Sequence, residues 1–148
     1  MGTYKQQSHV VWQCNYHIVL CPKYRFRVLT GLVKDLVEHD IKMLCQWKDC
    51  EVEELSVQPD HIHLLVSIPP KVSISELMGL LKGKLAIKLF KSYPQLKQKP
   101  YWGNHFWSRG YFVNTIGLNE DMIRRYVLHQ EEEDKKEETN GKHFTLFD

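Results

Sequence analysis

The stretch Pro59-Asp60-His61-Ile62-His63-Leu64-Leu65-Val66-Ser67-Ile68 (PDHIHLLVSI) reads as a buried strand that opens with two imidazoles. Side chains along a strand alternate between faces. Ile62, Leu64, Val66 and Ile68 therefore form one apolar face, and His61 and His63 project together from the other. Pro59 and Asp60 make a turn before the strand, and Pro69-Pro70 stop it. Upstream, EVEELSVQ (51–58) alternates at Leu55 and Val57. The short gap between the two runs predicts an antiparallel hairpin.

The chain on either side extends this pattern. VVWQCNYHIVLC (10–21) is β-rich and ends at Pro22. Residues 30–48 place Leu32, Val33, Leu36, Val37, Ile41 and Leu44 at helical spacing. A second helix spans 73–93, where Ser73 stands three residues before Glu76 in a capping-box pattern. A loop rich in Lys, Pro and Trp covers 94–105, and FWSRGYFVNTI (106–116) reads as a strand broken by Gly117. Asn119 can cap a last helix over 120–133, whose acidic start suits the helix dipole. The order β-α-β-β-α-β predicts an α+β, ferredoxin-like fold: a four-stranded antiparallel sheet with helices on one face, plus a C-terminal helix. Many functions share that fold, so the chemistry has to come from the site.

The totals set the frame. The 148 residues fit one domain over 1–148, with a body at about 8–133 and an acidic tail at about 131–148. At 43% hydrophobic residues the chain can build a core. No apolar run is long enough to span a bilayer. The N-terminus lacks a signal-peptide pattern, and Gln6 makes the Met-Gly start a poor myristoylation match. A cytoplasmic protein with no membrane partner is expected. Cys14, Cys21, Cys45 and Cys50 lack zinc-site spacing and are expected to be reduced thiols. The net charge of +2 divides into a basic body and an acidic end. Residues 131–148 carry three basic and seven acidic side chains, leaving a net +6 in residues 1–130. Such a body suits a polyanionic partner, or is a mixed solvated surface.

Two imidazoles at adjacent same-face positions can bite one metal ion, or can be two ordinary half-exposed histidines. A metal needs a further ligand. In RRYVLHQ (124–130), Tyr126 and Gln130 are four apart and share a helix face. His129 is displaced by about 100° from Gln130. The alternative places Tyr126 against the core and Gln130 in solvent. The residues by themselves leave both readings open.

Five segments taken in order carry more. YHIVLCPKYR (16–25), PDHIHLLVSIPP (59–70), LKGKLAIKLF (81–90), FWSRGYFVNTIG (106–117) and IRRYVLHQ (123–130) resemble the single-tyrosine HUH transposases of small bacterial and archaeal insertion sequences. HUH denotes His-hydrophobic-His, here His61-Ile62-His63. The resemblance covers about residues 8–131. It implies that His61, His63 and Gln130 are metal ligands, that Tyr126 is the catalytic nucleophile and that Gly117 is the hinge before the catalytic helix. It further implies a homodimer with shared active sites, single-stranded DNA with a hairpin at the element ends as partner, and a prokaryotic cytoplasmic setting.

The implied reaction is transesterification of single-stranded DNA through a 5′-phosphotyrosine. An ester exchanged for an ester needs no ATP, in keeping with the lack of a Walker-type glycine loop. Ordinary tyrosine ionises near ~10 and is a weak nucleophile at neutral pH. A divalent ion can polarise the scissile phosphate. Ligand softness permits Zn²⁺ or Mn²⁺; the resemblance favours Mg²⁺ or Mn²⁺. Lys23, Arg25, Lys82, Lys84, Lys88, Arg109 and Arg124 are candidate DNA contacts. Tyr24, Phe26, Trp102, Phe106 and Trp107 are candidates for base stacking. His17 is expected to be a structural sheet residue. The alternatives are a domesticated HUH nuclease acting on chromosomal repeats, or a non-catalytic nucleic-acid-binding module of the same fold.

Overall fold

The computed structural model describes residues 4–7, 10–12, 14–98, 105–115 and 119–140. The expected strand at 10–21 divides into two elements. β1 (Lys5–Gln7) and β2 (Val10–Trp12) form a small antiparallel pair, and β3 (Asn15–Leu20) enters the main sheet. There follow α1 (Gly31–Trp47), β4 (Glu51–Gln58), β5 (His61–Ser67), α2 (Ile74–Ser92), β6 (Phe112–Asn114) and α3 (Glu120–Asn140). The four-stranded sheet has the order β4-β5-β3-β6 and is antiparallel throughout. This is the ferredoxin-like α+β arrangement that the sequence predicts.

Strand β5 divides as its alternation requires. Ile62, Leu64 and Val66 are fully buried, and Ile68 beyond the strand end is nearly so. They pack with Ile18 and Leu20 of β3 and Val57 of β4. Helices α1 and α2 cover this face through Val37, Ile41, Leu44, Leu77, Leu81, Leu85 and Leu89. Leu32 departs from the expected apolar stripe: it lies in the first turn of α1, beyond the reach of the sheet, and is 71% exposed. Ser73 caps α2 by accepting from the Glu76 amide at 3.0 Å, whereas the Glu76 carboxylate pairs with Lys48 at 2.7 Å. The capping box is thus half realised.

The strand expected at 106–116 is ordered as β6 only over Phe112–Asn114. Phe106 and Trp107 precede it and are buried, edge to face with each other at 4.7 Å. Tyr24 is also buried. These three aromatics are core residues rather than exposed platforms for bases. Phe26 is half-buried, and Trp102 lies outside the described residues.

The opposite sheet face is covered by α3. Val127 packs on Val19 and Cys21, joined by Phe112, Ile123 and Tyr126. Asn119 caps the helix by accepting from the Met122 amide at 2.9 Å. The helix then runs to Asn140, well past 133. Residues 131–140 therefore continue α3 and are not a separate tail. All four cysteines are free thiols. Among the described residues no helix is long and apolar enough to cross a membrane.

The burial pattern sets a clear contrast for mutation. Ile62→Ala should lower the unfolding free energy by about 2–5 kcal/mol. Leu32→Ala should change it by less than about 0.5 kcal/mol. Chemical denaturation of the two variants measures both.

Candidate functional site

His61 and His63 stand on the α3-side face of β5. Cross-strand pairing sets Gln58 beside His61, and Ser56 and Val19 beside His63. His61, His63, Gln58 and Ser56, with Asp60 and Arg25, form one wall of a cleft of about 510 Å³. Ile123, Arg124 and Val127 of α3 form the other wall.

Each histidine has a partner that fixes one ring nitrogen. His61 Nδ1 donates to Asp60 Oδ1 at 2.9 Å. That bond directs Nε2 away from Asp60, the arrangement by which a carboxylate supports an imidazole ligand. Asp60 is buried, which opposes its ionisation, but the hydrogen bond and charge of His61 and the Arg25 guanidinium outweigh burial. Its carboxyl is held below the usual range. His63 Nε2 lies 3.2 Å from His17 Nδ1, with the rings stacked at 5.4 Å. Burial, then His17 and His61, hold His63 below the ordinary imidazole value, which favours the uncharged ring.

Tyr126 and Gln130 are joined on α3, where Gln130 Nε2 donates to Tyr126 Oη at 3.1 Å. Tyr126 packs against Phe112 with ring centroids 5.6 Å apart. Burial, then Cys21, push its phenol well above the ordinary tyrosine value, and Gln130 only partly offsets this. Neither Tyr126 nor Gln130 lines the cleft; the helix turns Ile123, Arg124 and Val127 toward it instead. Among the described residues no three His, Cys, Asp or Glu side chains converge as a metal site. The structure thus joins His61 to His63 in the cleft and Tyr126 to Gln130 beside it, as two separate pairs.

Most of the candidate DNA contacts have partners within the chain. Arg25 spans Asp60 and Glu131, each at 2.9 Å. Lys23 and Arg109 both reach Glu137, at 3.7 and 3.5 Å. Lys82 donates to the carbonyls of Ser108 and Gly110 at 2.8 and 2.9 Å. Lys88 pairs with Asp40 at 3.2 Å. Lys84 is exposed on α2, which covers the sheet face away from the cleft. Of the seven, Arg25 and Arg124 line the cleft. Gly117 lies outside the described residues.

The profile of the family described as Transposase IS200 like matches residues 10–130. The chain belongs to the IS200-like transposase family. This IS200-like chain is 44% identical to the transposase for insertion sequence element IS200 of Salmonella typhimurium over 135 residues. That match covers 91% of this chain and 88% of the relative. It is 36% identical to the ISDra2 transposase TnpA of Deinococcus radiodurans over 131 residues, covering 88% of this chain and 93% of the relative. Its fold is similar to a crystal structure of a putative transposase from Deinococcus radiodurans, with a TM-score of 0.74 and 30% identity over 85% of this chain and 97% of that one. The fold also resembles a REP-associated tyrosine transposase bound to a REP hairpin, with a TM-score of 0.55 and 16% identity over 86% of this chain and 68% of that one.

Two supports of this IS200-like site escape sequence reading. Asp60 reads as a turn residue, and His17 as a strand residue. Their only sequence signals are adjacency to His61 and a β3 position whose register becomes known after pairing. Asp134 is a third: it is buried within an acidic run. Its Oδ2 accepts from Ser108 Oγ at 2.6 Å and from the Tyr24 amide at 2.8 Å. Tyr24 and Arg25 have φ of 59° and 55°, a strained pair held in place by these contacts.

The Arg25 ion pairs give a pH test. Arg25 helps hold both Asp60 and Glu131 below the ordinary carboxylate range, with burial opposing it at each. A depressed folded-state value means stability that is present above the unfolded value and lost as pH falls through the folded one. Arg25→Ala should cost about 1–3 kcal/mol at pH 7. The gap from wild type should shrink as pH falls below the carboxylate range, as read by denaturant unfolding across that range.

Proposed function

We propose that this transposase cleaves and rejoins single-stranded DNA by transesterification, with Tyr126 as nucleophile beside a divalent ion held by His61, His63 and Gln130. The observation that carries this reading is the pair of same-face imidazoles in the cleft, one braced by Asp60 and the other in surroundings that favour its uncharged form, next to a helix that bears a tyrosine and a glutamine. The donor set fits a divalent ion. His61 offers Nε2, the surroundings of His63 disfavour its charged form, and Gln130 turns its NH₂ toward Tyr126 and leaves its carbonyl oxygen for a hard cation. Mg²⁺ and Mn²⁺ are the ions proposed; Mn²⁺ accepts imidazole more readily. Bound there, the ion would polarise the scissile phosphate and stabilise the charge that develops on it.

The chain's own residues supply the rest. Tyr126 Oη forms a bond to phosphorus as the bond to the 3′ oxygen breaks. The phenol loses its proton, and the departing 3′ oxygen gains one. The 5′-phosphotyrosine keeps the ester energy, and attack by a 3′-hydroxyl reverses the step. In its packed position Tyr126 is protonated, with Oη engaged by Gln130. The nucleophile must therefore leave that packing before it reacts. Delivery of α3, with Tyr126 and Gln130 together, to the cleft of a second copy, in a homodimer with shared active sites, meets this requirement and brings the glutamine to the histidine pair. The three-residue edge strand β6, with Val113 38% exposed, is a sheet edge at which two copies can pair. Hairpin-bearing single-stranded DNA is the proposed substrate; the REP-hairpin complex on a similar fold supports it. Arg124, on the α3 wall of the cleft, would contact a phosphate.

The test incubates the protein with single-stranded DNA carrying an element-end hairpin and Mg²⁺ or Mn²⁺. A denaturant-stable protein–DNA adduct is expected with wild type. It should vanish in Tyr126→Phe and in the double variant His61→Ala, His63→Ala. An adduct formed equally well by Tyr126→Phe would remove the nucleophile assignment. No adduct from wild type on any cognate end would favour a binding module. The bracing of His61 makes a separate prediction: Asp60→Ala should weaken Mn²⁺ binding by about 10–100-fold, measured by titration followed with electron paramagnetic resonance.

A further inference from the structure

The acidic run that follows Gln130 is organised. Glu131, Asp134 and Glu137 recur at intervals of three, so helical geometry sets them along one face of α3. Each carboxylate meets a group from the turn at 22–25, and Asp134 and Glu137 also meet residues 108 and 109. Asp134 is the buried member, held by Ser108 and by the Tyr24 amide. On either side of it, Glu131 takes Arg25 at 2.9 Å, and Glu137 takes Lys23 at 3.7 Å and Arg109 at 3.5 Å.

Those three cations would otherwise form a positive surface running from the cleft wall, where Arg25 stands, to the loop that carries Arg109. A carboxylate and a phosphate offer a guanidinium or ammonium the same kind of oxygen acceptors. The Arg109–Glu137 pair is the most exposed, with side chains 87% and 38% accessible, whereas Arg25–Glu131 is more enclosed. An exposed pair such as Arg109–Glu137 contributes little and is screened by salt. Exchanging such a carboxylate for a DNA phosphate is close to balanced locally, and the release of counterions from DNA favours the exchange. The helix that supplies these carboxylates also carries Tyr126, partly buried one to three turns upstream.

We infer that the acidic face of α3 is an internal stand-in for DNA phosphates: it covers a phosphate-contact surface made by Lys23, Arg25 and Arg109. DNA that takes these cations removes the outer holds on α3 and so loosens the helix that keeps Tyr126 packed. The inference rests on the proposed action on single-stranded DNA. It assigns to residues 131–137 a role in gating access to both substrate surface and nucleophile. Asp134, which bonds to Ser108 and the Tyr24 amide, serves as the pivot that remains.

The test compares wild type, the double variant Glu131→Gln, Glu137→Gln, and a charge-matched control, Glu132→Gln, Glu133→Gln. Asp134 is kept in all three, and circular dichroism confirms the fold. Binding to a hairpin-bearing single-stranded oligonucleotide is measured by fluorescence anisotropy at several salt concentrations. The Glu131/Glu137 variant should bind about 10-fold tighter near 0.1 M salt, because DNA no longer has to displace the two carboxylates. The control should shift much less. Equal tightening in the control would show only a net-charge effect and overturn the inference. So would wild-type binding with no gain in the Glu131/Glu137 variant. Absence of binding by every protein would instead remove the DNA reading on which the inference stands.

Discussion

A strand can offer only every second side chain to one face, and β5 depends on that rule at each position. Ile62, Leu64 and Val66 go under α1 and α2 and close the core. His61 and His63 are thereby committed to the face that α3 covers. A slip of one residue would bury two imidazoles in an apolar core and expose the apolar set. The same register that stabilises the sheet also aims the histidines, so fold and site are specified together. Its neighbours follow: Gln58 and Ser56 of β4 and Val19 of β3 take their places by pairing with β5.

Around that strand a polar chain links the cleft to the tyrosine helix. His61 leans on Asp60, Asp60 on Arg25, and Arg25 on Glu131. Charge-assisted bonds of this kind are the stronger ones. The chain runs through a turn in which Tyr24 and Arg25 both take left-handed backbone conformations. Such strain persists when the surroundings over-determine it. Here the Tyr24 amide bonds to Asp134 and the Arg25 side chain to two carboxylates. The position of α3 and the bracing of His61 are therefore mechanically related, although they lie on different elements.

Much of the fold was legible in order and period. Alternation gave β4 and β5, and the 3.6-residue recurrence gave α1 and α2. Ser73 and Asn119 marked helix starts that are realised as side-chain caps. The misreadings have physical causes. The 10–21 run has β propensity throughout, but propensity does not say where one sheet ends and another begins. Phe106 and Trp107 read as strand or stacking residues because aromatics suit both; their burial follows from packing against α2 and from the backbone bridge between Pro22 and Trp107. The acidic run looked like a solvated tail because charge dominates it. Its spacing of three was available in the sequence, but its partners on the 22–25 turn were not.

By itself the sequence determined that His61 and His63 share a face, that Tyr126 and Gln130 share another, and that the chain resembles a single-tyrosine transposase. These depend on local periods and on residue order, both of which are written along the chain. Only the tertiary structure decided what each group meets. It set His17 against His63, Asp60 under His61, and Asp134 into a buried pocket with Ser108. It also turned Tyr126 away from the cleft and gave Arg25 two carboxylates. Contacts between residues up to 110 positions apart create these environments, and no local pattern encodes such a distance.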